Sequence, residues 1–249
     1  MLNITKKCAA EILAHAEAAA PEECCGFLIQ EGRTQVYLPA ANAAAEKTET
    51  FAIDAEDFVN AQERGEILAV VHSHPSGEPF LSGADRQMQN QLKLPFVLAV
   101  SGSLKVFRPV PLLRGRTFEY GVADCAALIR DAFHLAGVDL DDHERTDLET
   151  DAERGELLAH GLAQGFAQVD ADDIRVGDVL LTGTNGRPEH AALYIGDNEM
   201  LHHAFDTLSR REPYNDFWRR RTLAVLRHPQ WQPEMLQALV NDLQAGLAR

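Results

Sequence analysis

The string His72-Ser73-His74-Pro75, followed by Ser82 and Asp85, constrains this chain more than any other feature. Leu68 to Val71 just before it is a short apolar run that reads as a buried strand, so His72 and His74 sit where that strand ends. Alternate side chains on a strand share a face, which points both imidazoles one way and Ser73 the other. Pro75 has no backbone donor and stops the ladder. After a loop rich in glycine and proline, Ser82-Gly83-Ala84-Asp85 reads as the start of a helix running to about Asn90. Two imidazoles and a carboxylate at this spacing suit one zinc ion, whose catalytic sites keep one tetrahedral position for water. Ser82 and Asp85 also have the spacing of a capping box, and that reading stands beside the metal one.

Upstream, Pro21-Glu22-Glu23-Cys24-Cys25-Gly26 follows an alanine-rich helix, about Lys6 to Ala20, and leads into an apolar strand, Phe27 to Ile29. Glu23 is a candidate general base, because a carboxylate beside a metal-activated water can take its proton and pass it to a leaving amine. The Glu-x-Cys-Gly element, His-x-His-Pro and Ser-x-x-Asp together resemble the JAMM (MPN) metallopeptidases, an α/β fold with a single zinc. The resemblance implies that His72, His74 and Asp85 ligate the metal and that Glu23, rather than adjacent Glu22, is the base. It further implies that Ser82 helps stabilise the oxyanion.

A chain of 249 residues is long enough for two modest domains. Its net charge of −15 argues against nucleic-acid binding, which needs lysine and arginine against phosphate. Arg210-Arg211 and Arg219-Arg220-Arg221 are read as solvated loop charge or as a local docking stripe. The apolar runs are far too short for a transmembrane segment. The start has no apolar core of secretory length, so the product is expected to fold in the cytosol. Four cysteines without a Cys-x-x-Cys pair exclude a structural zinc knuckle and suggest no disulfide framework.

Phe51 to Asp54 reads as a short strand leading into a helix, about Ala55 to Arg64. Pro95 to Val100 and Leu104 to Arg108 read as strands joined by a Ser-Gly-Ser hairpin. Pro109-Val110-Pro111 then breaks the pattern, giving expected domains of 1–110 and 111–249. In the second, Asp124 is a natural N-cap for a helix from Ala126 to Ala136, placing Cys125 in its first turn. The positive end of the macrodipole favours a thiolate there. A helix is expected from about Thr150 to Gly161. His190 to Asp197 reads as a strand, and Glu199 to Ala204 as its antiparallel partner, which brings His190 near His202 or His203. Strand parity alone leaves that choice open. A base and an orienting group beside a helix-terminal thiol suit a cysteine nucleophile. Glu234 to Arg249 reads as one amphipathic helix with Leu236, Leu239, Val240, Leu243 and Leu247 on a stripe, packing back on the second domain.

Asp-Cys opening a helix, a Gly-Asp strand, then His with Tyr-x-Gly and a second His, resembles the NlpC-type cysteine endopeptidases. That family has a papain-like core and cuts cell-wall stem peptides, typically beside D-glutamate. The resemblance implies Cys125 as nucleophile, His190 as base and His202 as the residue orienting it. Two positions depart from the pattern: Phe118 stands where the family usually has tyrosine, and Ala126 where a serine commonly follows the cysteine. The expected fold is therefore α+β in two domains, a JAMM α/β zinc-peptidase fold and a papain-like NlpC fold. The pairing resembles a family of lambda-type phage tail tip proteins, a likeness that extends through Leu208 to Tyr214 and Trp218 to Arg221. It implies a tail component built in the host cytoplasm and carried in the virion tail tip. Its partners would be peptidoglycan stem peptides and other tail tip proteins. The alternative, motivated by Phe118 and the arginine clusters, is a non-catalytic assembly or docking factor built from degenerate peptidase folds.

Overall fold

Thr5 starts the first helix, α1 (Lys6–Ala19), by accepting a hydrogen bond from the Cys8 amide at 3.3 Å. The computed structural model describes residues 2–246 and forms two units, Met1–Val110 and Pro111–Arg249. After α1 the first unit continues through β1 (Cys25–Glu31), β2 (Thr34–Ala40), α2 (Ala55–Arg64), β3 (Glu66–Ser73), α3 (Gly83–Leu92), β4 (Phe96–Val100) and β5 (Ser103–Phe107). The strands lie in the order β2-β1-β3-β4-β5, antiparallel except for the β3–β4 pair that α3 bridges. Period-two alternation sends Phe27, Ile29, Val70, Phe96 and Leu98 to one face, with Phe51 and Ala61. Leu28, Ala69, Val71, Val97 and Ala99 go to the other, against Cys8 and Ile12 of α1. Burial on both faces is why these strands read as continuous apolar runs.

One sequence expectation changes here, and one strand is new. Phe51–Asp54 is not a strand. Its backbone is satisfied by the preceding loop instead: Asn42 accepts from the Ala52 amide at 3.2 Å and donates to the Thr50 carbonyl at 3.1 Å. Conversely, β2 pairs with β1 along its whole length without having been anticipated, its apolar alternation being interrupted by Pro39 near one end.

The second unit runs α4 (Cys125–Leu135), α5 (Leu148–Arg154), α6 (Glu156–Ala163), β6 (Ala167–Val169), β7 (Val179–Thr184), β8 (Arg187–Gly196), β9 (Glu199–His202), β10 (Arg210–Pro213), α7 (Asp216–Arg219), β11 (Thr222–Arg227) and α8 (Leu236–Ala245). Its antiparallel sheet has the order β10-β9-β8-β7-β11-β6, with α4 packed on β8. Both units mix helices with a sheet, the α+β architecture expected. The single helix expected near 150–161 is two, because Gly155 at φ 69° ends α5 and begins α6. The C-terminal helix begins at Leu236, after a single tight turn at Pro233–Met235. It packs back on α4, burying Leu239 and Leu243 while the Asp242 carboxylate accepts from the Leu113 amide at 2.8 Å. Leu247 lies outside the described residues. Among those described, no helix is long and apolar enough to cross a membrane.

Candidate metal centre and candidate thiol site

β3 carries His72, His74 follows directly after its last residue, and the strand tip is clamped to its neighbours. Ser73, on the opposite face, donates its amide to the Cys24 carbonyl at 3.1 Å and accepts from the Cys24 amide through Oγ at 2.8 Å. The His74 amide bonds the Ala99 carbonyl of β4 at 3.1 Å. Gly26, next in the Cys-Gly pair, lets β2 approach closely: a Cβ there would stand 2.3 Å from the Leu38 carbonyl oxygen. His72 stacks on Phe51 with ring centroids 4.7 Å apart and meets Phe96 edge-on.

α3 delivers the carboxylate. Ser82 Oγ accepts from the Asp85 amide at 3.1 Å, and Asp85 Oδ2 accepts from the Ser82 amide at 2.8 Å. This capping box coexists with a second engagement of the same oxygen, since Asp85 Oδ2 lies 3.4 Å from His72 Nε2 and 3.3 Å from His74 Nε2. A carbonyl oxygen can only accept, so the 2.9 Å contact from His74 Nδ1 to the Glu78 carbonyl puts a proton on Nδ1, and in the neutral ring Nε2 carries the lone pair. His72 is fully buried and neither ring nitrogen has a hydrogen-bond partner. Buried polar groups are rarely left so. The donor atoms of His72, His74 and Asp85 all lie within 4.8 Å of one another, and two imidazoles with one carboxylate oxygen fit a divalent metal.

Glu23 is buried just before β1, its Oε1 3.9 Å from His74 Nε2. Burial pushes its carboxyl up to about 7; the Asp85 and Glu49 charges add to this and His74 opposes it. Burial also works against the Asp85 carboxylate, yet the His72 and His74 imidazoles hold it well below the usual range.

In the second unit, Asp124 caps α4 by accepting from the Ala127 amide at 2.9 Å. Its other oxygen accepts from the Gly121 amide at 2.8 Å and from Arg145 Nε at 2.7 Å. Gly121 takes φ 78°, and a Cβ there would lie 2.8 Å from the Arg145 carbonyl oxygen. Cys125 thus stands at the first position of α4. With His190 of β8 it lines a cleft of about 250 Å³, walled by Tyr120, Phe205, Phe217 and Trp218.

His190 Nε2 lies 3.1 Å from His202 Nδ1, and His202 Nε2 lies 3.1 Å from Glu212 Oε2. His202 is therefore the partner that strand parity left undecided. His203 packs against Phe118 at 5.3 Å, neither of its ring nitrogens hydrogen-bonded. Burial works against the thiolate expected from the helix terminus. Burial pushes the Cys125 thiol up to about 12 with help from the Asp124 charge, against the Ala191 amide, Arg145 and the Ala126 amide. Burial likewise pulls His190 down to about 3, with His202, His203 and Arg210 adding to the effect. Both shifts favour the uncharged forms of the thiol and the imidazole.

Three residues escaped the sequence reading. Glu212 comes from β10 and anchors His202. Arg145 comes from the acidic loop and holds Asp124. Tyr120 lines the cleft with its hydroxyl donating to Asp151 at 2.8 Å. Phe118, the departure from the expected tyrosine, packs on His203 and Phe205 at 5.3 Å each. The arginine stripe is tied down locally: Arg211 pairs with Glu199, Arg219 reaches Asn198, and Arg221 lies 3.7 Å over the Phe217 ring.

The two halves of the chain match two known families. Residues 115–227 match the NlpC/P60 family and residues 5–111 match the prokaryotic homologs of the JAB domain. The chain thus joins a cysteine-peptidase domain of NlpC/P60 type to a JAB-type domain with a candidate His-His-Asp metal site. It is 46% identical over 192 residues to tail tip assembly protein K of Escherichia phage lambda, covering 77% of this chain and 96% of that protein. To tail tip assembly protein K of Escherichia phage N15 it is 32% identical over 226 residues, covering 87% and 92%. A solution structure of a protein from Desulfitobacterium hafniense overlaps 43% of this chain and 85% of its own at 25% identity, with a TM-score of 0.37. The chain belongs to the family of the tail tip assembly proteins K.

Proposed function

We propose that this protein is a phage tail tip component whose domain 111–249 is an endopeptidase of peptidoglycan stem peptides. Its domain 1–110 would be a zinc metallopeptidase. The protein would be built in the host cytoplasm with other tail tip proteins and carried in the virion tip, where it opens the wall for genome entry. The observation that carries this reading is the His190–His202 couple at the cleft that Cys125 shares.

In that cleft Cys125 Sγ attacks the scissile carbonyl carbon while its proton passes to His190. His190 then protonates the leaving amine, and water hydrolyses the acyl-thioenzyme with the same imidazole as base. A resting neutral pair suits this order, because the proton moves only when substrate presents the carbonyl. Digestion of purified murein, followed by mass spectrometry of the released peptides, tests the assignment. Cys125→Ala should slow release by at least ~10³-fold; digestion at the parent rate would remove it.

In the first domain His72 Nε2, His74 Nε2 and Asp85 Oδ2 would hold the ion. Zinc suits this nitrogen and oxygen set, and when bound it supplies Lewis acidity. Glu23 would take the proton of the attacking water and return it to the leaving amine. The Ser82 hydroxyl keeps a hydrogen to donate to the developing oxyanion, since its oxygen accepts from Asp85. Metal analysis should find one zinc per chain, lost in His72→Ala.

A further inference from the structure

Glu212 receives hydrogen bonds on both carboxylate oxygens. Trp218 Nε1 donates to Oε1 at 2.8 Å, and Arg210 donates to Oε2 through Nε at 2.9 Å. His202 Nε2 lies 3.1 Å from that same Oε2. Burial alone would raise the Glu212 pKa, but the Trp218 and Arg210 hydrogen bonds and the His202 and Arg210 charges bring it below the ordinary value. An ionised carboxylate has no proton to give, which fixes every hydrogen in the chain of contacts. His202 Nε2 must be the donor to Glu212. A neutral imidazole carries one ring proton, so His202 Nδ1 is bare and can only accept. Its partner at 3.1 Å, His190 Nε2, must then be the donor. Neutral His190 is left with a lone pair on Nδ1, the ring nitrogen that His202 does not engage. Only an imidazole in that tautomer can take a proton from a thiol while keeping its bond to His202.

We propose that Glu212 is a positioning residue that sets the tautomers of both histidines, leaving Nδ1 of His190 as the proton acceptor for Cys125. The choice of His190 as base rests on the proposed cysteine-peptidase reading; the tautomer assignment does not. Trp218 supports the arrangement from the side, packing edge-on to His202 at 5.1 Å and against His190 at 5.7 Å. Without the Glu212 carboxylate, His202 is free to carry its proton on either nitrogen, and with Nδ1–H it turns His190 to the tautomer that cannot act as base.

Ring ¹⁵N shifts of the full-length protein at pH 7 give a readout independent of activity, with peaks assigned through His190→Gln and His202→Gln. The parent should show Nε2 protonated and Nδ1 bare on both rings. In Glu212→Ala the protons should be shared between the nitrogens. With murein peptide, kcat should fall roughly 10²- to 10⁴-fold with KM little changed, the scale on which a wrong imidazole tautomer slows a nucleophile–histidine pair. Glu212→Gln alone should not restore the rate, because its single amide oxygen cannot serve both His202 and Trp218. Combined with Trp218→Phe, which removes the competing donor, it should recover much of the loss. A parent His190 carrying Nδ1–H, or a Glu212→Ala protein with parental tautomers and rate, overturns the proposal. Should Glu212→Ala fail to fold, the parent shifts alone decide. Should the parent not cut murein while its tautomers respond as stated, the peptidase reading fails and the role of Glu212 stands.

Discussion

Desolvation is the largest influence on both Cys125 and His190, and it works against the charged form of each. For His190 this has a measurable consequence. Its unfolded value is near 6.5 and its folded value about 3, so between those limits the unfolded chain binds a proton that the folded chain refuses. Stability of the second unit is therefore full above about 6.5 and is lost as pH falls toward 3. Urea unfolding at pH 7 and pH 4.5 should show that loss, and His190→Gln should reduce it by up to one proton's worth of slope. An unchanged slope would mean that His190 is not desolvated as described. Arg145 matters for a different reason: it neutralises Asp124, the buried cap that starts α4. Arg145→Ala leaves that carboxylate without its cation and should cost ~3–5 kcal/mol in the same unfolding assay. The candidate residues most legible in the sequence were those inside local motifs: His72, His74, Asp85 and Cys125, with Glu23 singled out by the family resemblance. Glu212 was not legible, because its meeting with His202 depends on the register of β10 against β9, where Arg210 lies opposite His202. No local pattern encodes that register.

The elements bearing the first site show how a capping motif and a ligand set share atoms. Asp85 meets the Ser82 amide and both imidazoles through one oxygen, so the helix start also aims the carboxylate. Ser82→Ala removes the other half of the box and should lower the metal-free stability of the first unit by ~0.5–2 kcal/mol. A thermal melt in chelator is the measurement, and no shift would show that the box adds nothing to the fold. Gly26→Ala should act more strongly in the same melt, by ~1–3 kcal/mol, since its Cβ would press on the rigid backbone of β2 at Leu38. Most elements were readable where apolar runs ended in turn residues. The exceptions have physical causes. Phe51 is apolar because it covers His72, not because it lies in a ladder. Gly155 breaks an otherwise continuous helical pattern by adopting a left-handed conformation. The burial of Cys125 is a tertiary property, so the helix terminus alone did not reveal the desolvation that opposes the thiolate.

At the scale of the whole molecule, one chain carries two candidate sites that share no residue: a nitrogen–oxygen set of metal-ligand type in Met1–Val110 and a thiol–imidazole cleft in Pro111–Arg249. A ligand that binds only the folded form of one unit stabilises that unit alone, by about 2.7 kcal/mol when present at 100 times its dissociation constant. For a unit of this size that corresponds to a rise on the order of 10 °C. Calorimetry should therefore resolve one transition that climbs with added zinc and falls back with chelator, and one that ignores both. The metal-responsive transition should lose its response in His72→Ala, where the buried imidazole ligand is gone, and keep it in Cys125→Ala. Release of murein peptides should be the same before and after chelation, because no group that the thiol site uses belongs to the metal set. Loss of murein cleavage on chelation, restored by zinc, would show that the two chemistries are coupled and would overturn their independence.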